Sequence, residues 1–276
     1  EVMSRHGINI VLHAAAYKHV SIVEDNALAG MRNNVLGTKT VAEAARRSNV
    51  DRFILVSTDK AVRPKSMMGA SKRFAELIVQ DLAARSMGTR FSMVRFGNVL
   101  GSSGSVIPLF EEQISNGGPV TLTHSDVTRY FMTISEAVRL VLLAGSFTNG
   151  GDVFVLDMGK PVPVRELARR MIEQAGLKVR DATNPDGDIE IEITGLRPGE
   201  KLHEELLIGA GNMLSTPHPK IMRTQEACLS ELQTAKAIAS LRKVLETRDI
   251  DLLRNTMTNW IEMAPQKPVV QLVVAE

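Results

Sequence analysis

The most chemically capable run in the chain is Ser57-Thr58-Asp59-Lys60, which sets two hydroxyls, a carboxylate and an amine in consecutive positions. It follows the apolar stretch 53–56, which has the length and composition of a buried strand. Open α/β sheets bind ligands beyond the carboxyl ends of such strands, so polar and ionisable groups would stand there within reach of a ligand. Taken alone, the tetrapeptide is read more simply as a solvated turn. A second amine, Lys72, closes the segment Met68-Gly-Ala-Ser-Lys72 at the start of the next helical stretch. Met68 and Lys72 are four residues apart and share a helix face.

The elements that must position these groups follow from periodicity. Apolar runs at 8–12, 53–56, 91–96 and 153–156 alternate with segments of helical period at 27–47, 70–87 and 136–146. In the second of these, Phe74, Leu77, Ile78, Asp81 and Leu82 recur at helical spacing. This alternation predicts βαβ units and an α/β fold with a Rossmann-like doubly wound parallel sheet. The segment 102–128 is rich in Gly, Ser and Pro, and 161–216 mixes a helix near 164–174 with an alternating strand at 188–194, the texture of a smaller interleaved substrate lobe. The expected division is a dinucleotide-binding portion at 1–100 and 129–160, a substrate lobe at 101–128 and 161–222, and a helical extension with a tail at 223–276. Within that last part, 229–260 reads as helical and 264–276 as the tail. A fold of this kind normally opens on a glycine-rich turn whose amides hold a pyrophosphate at a helix N-terminus. No G-x-G-x-x-G precedes the first strand. The expectation is therefore a sheet that lacks its first βαβ part.

Composition narrows the partners. In 276 residues, 33 basic and 31 acidic side chains are mixed along the chain, giving a net charge of +2 and no block suited to nucleic acid. The single cysteine, Cys228, excludes an internal disulfide framework. The longest apolar runs are too short to cross a bilayer, and residues 1–9 do not have the pattern of a signal peptide. The histidines are scattered without carboxylate or thiol partners at ligand spacing, so no metal site is expected.

Several motifs occur together and in order: His13-Ala-Ala-Ala16, Asn34-Val-Leu-Gly-Thr38, Ser57-Thr-Asp-Lys60, Met68-Gly-Ala-Ser-Lys72, Arg95-Phe-Gly-Asn-Val99, Thr128-Arg-Tyr-Phe131 and Gly195-Leu-Arg-Pro-Gly-Glu-Lys-Leu-His-Glu-Glu205. Over roughly 8–206 the sequence resembles the CapD-type polysaccharide-biosynthesis family of extended short-chain dehydrogenases, which contains UDP-N-acetylglucosamine 4,6-dehydratases. It looks most like the large membrane-anchored branch, in which Met stands where smaller relatives carry Tyr. The resemblance implies oxidation at the sugar C4, loss of water across C5 and C6, and return of hydride to C6, with recycled NADP or NAD and no metal. It implies Lys60 as the C5 base, Asp59 as the acid and Thr58 bonded to the C4 hydroxyl. Met68 occupies the position of the usual tyrosine, and Lys72 that of the lysine holding the nicotinamide ribose. It also implies a homo-oligomer whose catalytic region faces the cytoplasm, in a parent protein anchored in the bacterial inner membrane although this segment touches no lipid.

His13, Ala14, Ala15 and Ala16 would let the cofactor lie against the end of the first strand. For His13, a buried imidazole bonded to backbone is an equal reading. Asn98 follows a strand, and in related enzymes it bonds the nucleotide-sugar diphosphate. Ser103 lies in the loop Gly101-Ser-Ser-Gly-Ser105, which either offers amides to phosphate oxygens or serves as a flexible connector. Arg129 and Arg197 are the better anion candidates, because a guanidinium grips phosphate through paired donors. Glu200 is a partner for a ribose or for an arginine. The nearest rival reading is a UDP-sugar 4-epimerase, which shares the first hydride step but has no need of Asp59 and Lys60. A non-catalytic cofactor-binding or assembly module is the other.

Overall fold

The computed structural model describes residues 1–206, 213–224, 226 and 228–263, and the expected tail at 264–276 lies outside them. The chain divides into two compact units, one of residues 1–96, 140–157 and 205–276, the other of 97–139 and 158–204. The first opens with α1 (Val2–Arg5), β1 (Ile10–His13), α2 (Val20–Asp25), α3 (Ala27–Met31), a π-helical turn (Arg32–Gly37) and α4 (Thr38–Arg47). It continues through β2 (Arg52–Val56), a 3₁₀ turn (Asp59–Ala61), α5 (Met67–Ala84) and β3 (Arg90–Arg95). The second contributes β4 (Asn98–Val99), α6 (Val106–Ser115), β5 (Val120–Leu122), β6 (Thr128–Arg129) and β7 (Phe131–Met132). Helix α7 (Ile134–Ser146) then leads to β8 (Asp152–Leu156) of the first unit. β9 (Val162–Pro163), α8 (Val164–Gln174), β10 (Val179–Arg180) and β11 (Ile189–Ile193) belong to the second. β12 (Leu214–Ser215), β13 (Ile221–Thr224), α9 (Glu231–Thr247) and α10 (Ile250–Met263) complete the first.

The sheet of the first unit runs β1-β2-β3-β8-β13-β12. The first four strands are parallel, with Leu12 opposite Ile54, Leu55 opposite Met93 and Val94 opposite Phe154; β13 and β12 join antiparallel. β2, β3 and β8 are buried nearly throughout, as strands of a parallel sheet covered on both faces must be. Each Phe, Leu or Val so buried contributes about 1.5–3 kcal/mol. β1 differs: Val11 and His13 turn inward, while Ile10 and Leu12 stay 51% and 49% exposed. Among the described residues β1 pairs with β2 alone.

Helix α5 carries the site. Ser66 caps it by accepting a hydrogen bond from the Gly69 amide at 3.0 Å, which starts the helix at Met67, three residues before the sequence expectation. Every residue from Met67 to Leu82 is buried. Periodicity had turned one face of this helix inward; the other is also covered, because α9 and α10 pack on it. The helix expected over 27–47 is interrupted by the π turn. There the Thr38 hydroxyl donates to the Asn34 carbonyl at 2.6 Å, and the Asn34 side chain bonds both backbone groups of Tyr17 at 2.8 and 3.0 Å. Single π turns within α-helices recur at functional sites.

The second unit has its own core, in which Phe110 and Ile114 of α6 meet Val164, Ala168 and Ile172 of α8 and Val120, Val179 and Ile189 of a parallel sheet ordered β10-β11-β5. Two small pairs, β4 with β7 and β6 with β9, hold its connections.

Candidate functional site

The Ser57–Lys60 run leaves the carboxyl end of β2 and enters the 3₁₀ turn. The Ser57 amide is held by the Val94 carbonyl at 2.8 Å and the Asp59 amide by the Phe96 carbonyl at 3.0 Å, so the neighbouring chain at the end of β3 fixes the run's backbone. Asp59 is fully buried. Its Oδ1 accepts from the Thr58 hydroxyl at 2.9 Å and from the Lys60 ammonium at 3.0 Å. Its Oδ2 is buried with no hydrogen-bond partner among the described residues. A buried carboxylate oxygen without a donor is costly, and such an atom is rare unless a ligand or water completes it. Thr58, Asp59 and Lys60 thus form one hydrogen-bonded group.

Lys72 lies one helical turn after Met68 and is almost wholly buried. Its Nζ donates to the Val56 carbonyl at 2.5 Å. Burial pushes its pKa down to about 8 against the opposing pull of the Glu76 carboxylate. His13 ends β1, with its Nε2 2.9 Å from the Thr38 hydroxyl and its ring against Phe53 at a centroid distance of 5.7 Å. Burial first, then the charge of Lys72, keeps the imidazole below its ordinary pKa. His13 therefore has a side-chain hydroxyl as its partner rather than backbone. Ala14 and Ala15 are exposed and Ala16 is half-buried. Met68 packs into the core of the first unit, and its carbonyl accepts from the Ser71 hydroxyl at 2.7 Å. Ser71 in turn accepts from Asn34 at 2.9 Å, so the π turn, the chain after β1 and the start of α5 are tied together.

Behind the run lies a charge cluster that sequence reasoning missed. Glu76, fully buried, accepts from the Ser57 hydroxyl at 2.6 Å, from Arg95 through both carboxylate oxygens at 2.8 and 2.6 Å, and from Arg73 at 3.0 Å. Arg95 and Arg73 also reach Glu226, at 2.5 and 3.0 Å. Burial works against the Glu76 charge, but the two guanidiniums and the Ser57 hydroxyl overcome it and hold its pKa near 2. The same carboxylates raise Arg95 above its ordinary value despite its burial. The available signal was an arginine closing an otherwise apolar strand, with a glutamate one turn after Lys72.

In the second unit, Arg129 is buried and spends its donors on the Thr128 and Leu202 carbonyls at 2.7 and 3.1 Å and on Glu200 at 3.1 Å. Glu200 also accepts from the Thr123 hydroxyl at 2.9 Å and, more weakly, from the Arg197 amide at 3.4 Å. The guanidinium of Arg197 is exposed and has no ion pair among the described residues. Asn98 opens β4 with its amide on the Tyr130 carbonyl at 2.9 Å, and Ser103 is exposed in the loop before α6. Among the described residues no cluster of His, Cys, Asp or Glu could hold a metal ion, and no helix is long and apolar enough to cross a membrane.

The parallel sheet, with Ser-Thr-Asp-Lys at the end of one strand and a buried lysine on the helix that follows, is of the Rossmann type. The fold agrees with the dTDP-glucose 4,6-dehydratase DesIV of Streptomyces venezuelae, solved with NAD and TYD bound (TM-score 0.64, 23% identity, 74% of this chain and 67% of that one). The chain belongs to the polysaccharide biosynthesis protein family, whose sequence profile matches residues 1–226. It is 56% identical over 207 residues to the capsular polysaccharide biosynthesis protein CapD of Staphylococcus aureus, covering 75% of this chain and 33% of that protein. It is 40% identical over 204 residues to a UDP-glucose 4-epimerase of Rickettsia rickettsii, covering 73% and 57%. The chain thus spans a third of the length of CapD.

Proposed function

We propose that the chain carries the catalytic residues of a nucleotide-sugar 4,6-dehydratase acting on a UDP-N-acetylhexosamine, UDP-N-acetylglucosamine first among them, in surface-glycan synthesis. The observation that carries this reading is the buried Asp59 carboxylate paired at 3.0 Å with the half-buried Lys60, its Oδ2 without a partner among the described residues. Moving one proton along that hydrogen bond turns a carboxylate and an ammonium into the carboxylic acid and free amine that dehydration needs. Lys60 then removes the C5 proton, made acidic by the neighbouring ketone, while Asp59 protonates the departing C6 hydroxyl as water. The step leaves an ammonium and a carboxylate, the pair observed. Lys60 returns its proton to C5, and the proton lost earlier from the C4 hydroxyl, next to Thr58, restores the starting charge.

Bound NADP or NAD would supply the hydride acceptor for C4 and the donor for C6. The donor set fits such a group. Lys72 has three N–H bonds and spends one on Val56, beside a strand end whose Ala14 and Ala15 leave room for a ribose. Asn98, Ser103, Arg129, Arg197 and Glu200 are assigned to the nucleotide-sugar end, with Arg197 as a cation that has no ion pair among the described residues and Arg129 as the organiser of Glu200. A 4-epimerase, the activity named for the Rickettsia relative, makes no use of an acid–base pair at C5 and C6.

In the intact protein, Asp59→Asn and Lys60→Met should each lower release of the 4-keto-6-deoxy sugar by at least about a hundredfold while nucleotide-sugar and cofactor affinities hold. Mass spectrometry of the sugar product with parallel calorimetry decides it. Near-normal dehydration in either variant, or an epimer as the sole product of the unaltered protein, would overturn the reading.

A further inference from the structure

Helix α5 grips the end of β2 at consecutive residues. Lys72 holds the Val56 carbonyl at 2.5 Å, and Glu76, one turn on, holds the Ser57 hydroxyl at 2.6 Å. Gly69 completes the grip from the other side of the turn. A Cβ built there would fall 2.3 Å from the Lys60 carbonyl oxygen, so the backbone at Lys60 lies directly against the helix. Lys72 and Glu76 share a helix face by their spacing. Glu76 is the only one of these gripping groups that also reaches the adjacent strand, through both oxygens to Arg95 at the end of β3. Its carboxylate thus joins the ends of two strands and one helix, directly behind Thr58-Asp59-Lys60.

We propose that Glu76 is a positioning residue for the proposed reaction: acting through Ser57 and Lys72, it fixes where the Asp59–Lys60 pair stands, and it touches no substrate itself. Four observations favour this over a role in stability alone. Its oxygens are fully committed, to one hydroxyl and two guanidiniums. Its hydroxyl partner immediately precedes Thr58. Its charge reaches Lys72 one turn away, where it favours the ammonium against burial. And Arg73 and Arg95 each also pair with Glu226, so the cluster holds ion pairs that do not involve Ser57.

The proposal rests on the dehydratase reading for its chemical consequence but not for its structural one, and the test separates the two. Ser57→Ala deletes only the link and leaves the buried charges paired; Glu76→Gln keeps the shape and removes the charge. In both, hydrogen exchange read by mass spectrometry on the intact protein should show the amides of Asp59–Val62 exchanging about tenfold faster, with those of α9 unchanged. A ¹³C titration of the Lys72 side chain should show its midpoint falling in Glu76→Gln and staying in Ser57→Ala. Turnover should fall about tenfold in kcat in Ser57→Ala with KM nearly constant. Unchanged exchange at 59–62 in Ser57→Ala would overturn the proposal, as would equal exchange increases in α9, which mark general loosening. Should Glu76→Gln fail to fold, Ser57→Ala decides alone. Faster exchange in a protein that never forms a 4-keto-6-deoxy sugar would uphold the positioning role and refute the dehydratase reading instead.

Discussion

In the first unit, the residues nominated for chemistry stand on a strand end and a helix start, and behind them Ser57, Glu76, Arg73 and Arg95 are all buried. Asp59 is fixed by Thr58 and Lys60, Ser57 by Glu76, and Glu76 by two arginines. The second unit is built the other way. Arg197 and Ser103 lie exposed on connections, and the one buried guanidinium, Arg129, is spent on carbonyls and on Glu200 rather than left open. Proton transfer depends steeply on distance and orientation, so its atoms must be locked before substrate arrives. A diphosphate and a sugar can be met by side chains that adjust. Rigidity is concentrated where the reaction would need it, and freedom where sugar specificity would vary.

The comparison breaks first, and hardest, at Arg95. Arg95→Leu leaves Glu76 and Glu226 buried with one arginine between them, and should cost the first unit about 3–5 kcal/mol in chemical denaturation. A loss below about 1 kcal/mol would mean that the cluster is solvated and the first unit no more rigid than the second. Lys72 sharpens the contrast through pH. Its folded pKa, near 8, lies below the ordinary 10.5, so between those values the unfolded chain holds a proton the folded one has released. Stability referred to Lys72→Met should therefore rise with pH across that window, by at most about 3 kcal/mol, and denaturant midpoints at pH 7, 9 and 10.5 give the slope. In the second unit, Arg197→Ala should change stability by less than about 0.5 kcal/mol yet weaken nucleotide-sugar binding about tenfold, as calorimetry would register. The smallest effect on function belongs to Met68→Leu, which keeps volume and should cost under about 1.5 kcal/mol in stability with most turnover retained. Thr58→Val, which deletes the hydroxyl on Asp59, should do worse; the opposite ranking would return the C4 proton to position 68.

Much of the frame was legible in the sequence because it depends on local pattern. The apolar runs at 53–56, 91–96 and 153–156 became β2, β3 and β8, and the helix read at 164–174 coincides with α8. The run Ser57–Lys60 stood out because polar and ionisable groups follow a buried strand, while the acid and base roles of Asp59 and Lys60 came from the family resemblance. What escaped depends on distant partners. Arg73 and Glu76 sit at helical spacing and look solvated until α9 and α10 cover α5, and Glu226 meets Arg95 across 131 residues of chain. The π turn was invisible for another reason: one widened turn leaves an apolar period of 3.6 almost undisturbed, and its cause is the bonding of Asn34 to Tyr17.

That β1 pairs with β2 alone among the described residues has a consequence for handling this segment. Along the other edge of β1 the amides and carbonyls have no strand partner among the described residues, and with Ile10 and Leu12 half exposed beside them they form a template for a second strand. At high concentration this chain should recruit copies of itself there, and light scattering would record growth without a defined end point. A lysine at Ile10 would blunt that edge by charge without touching His13, whose side chain faces the other way. Any association that such a lysine abolishes would belong to the open strand and carry no information about how working copies assemble.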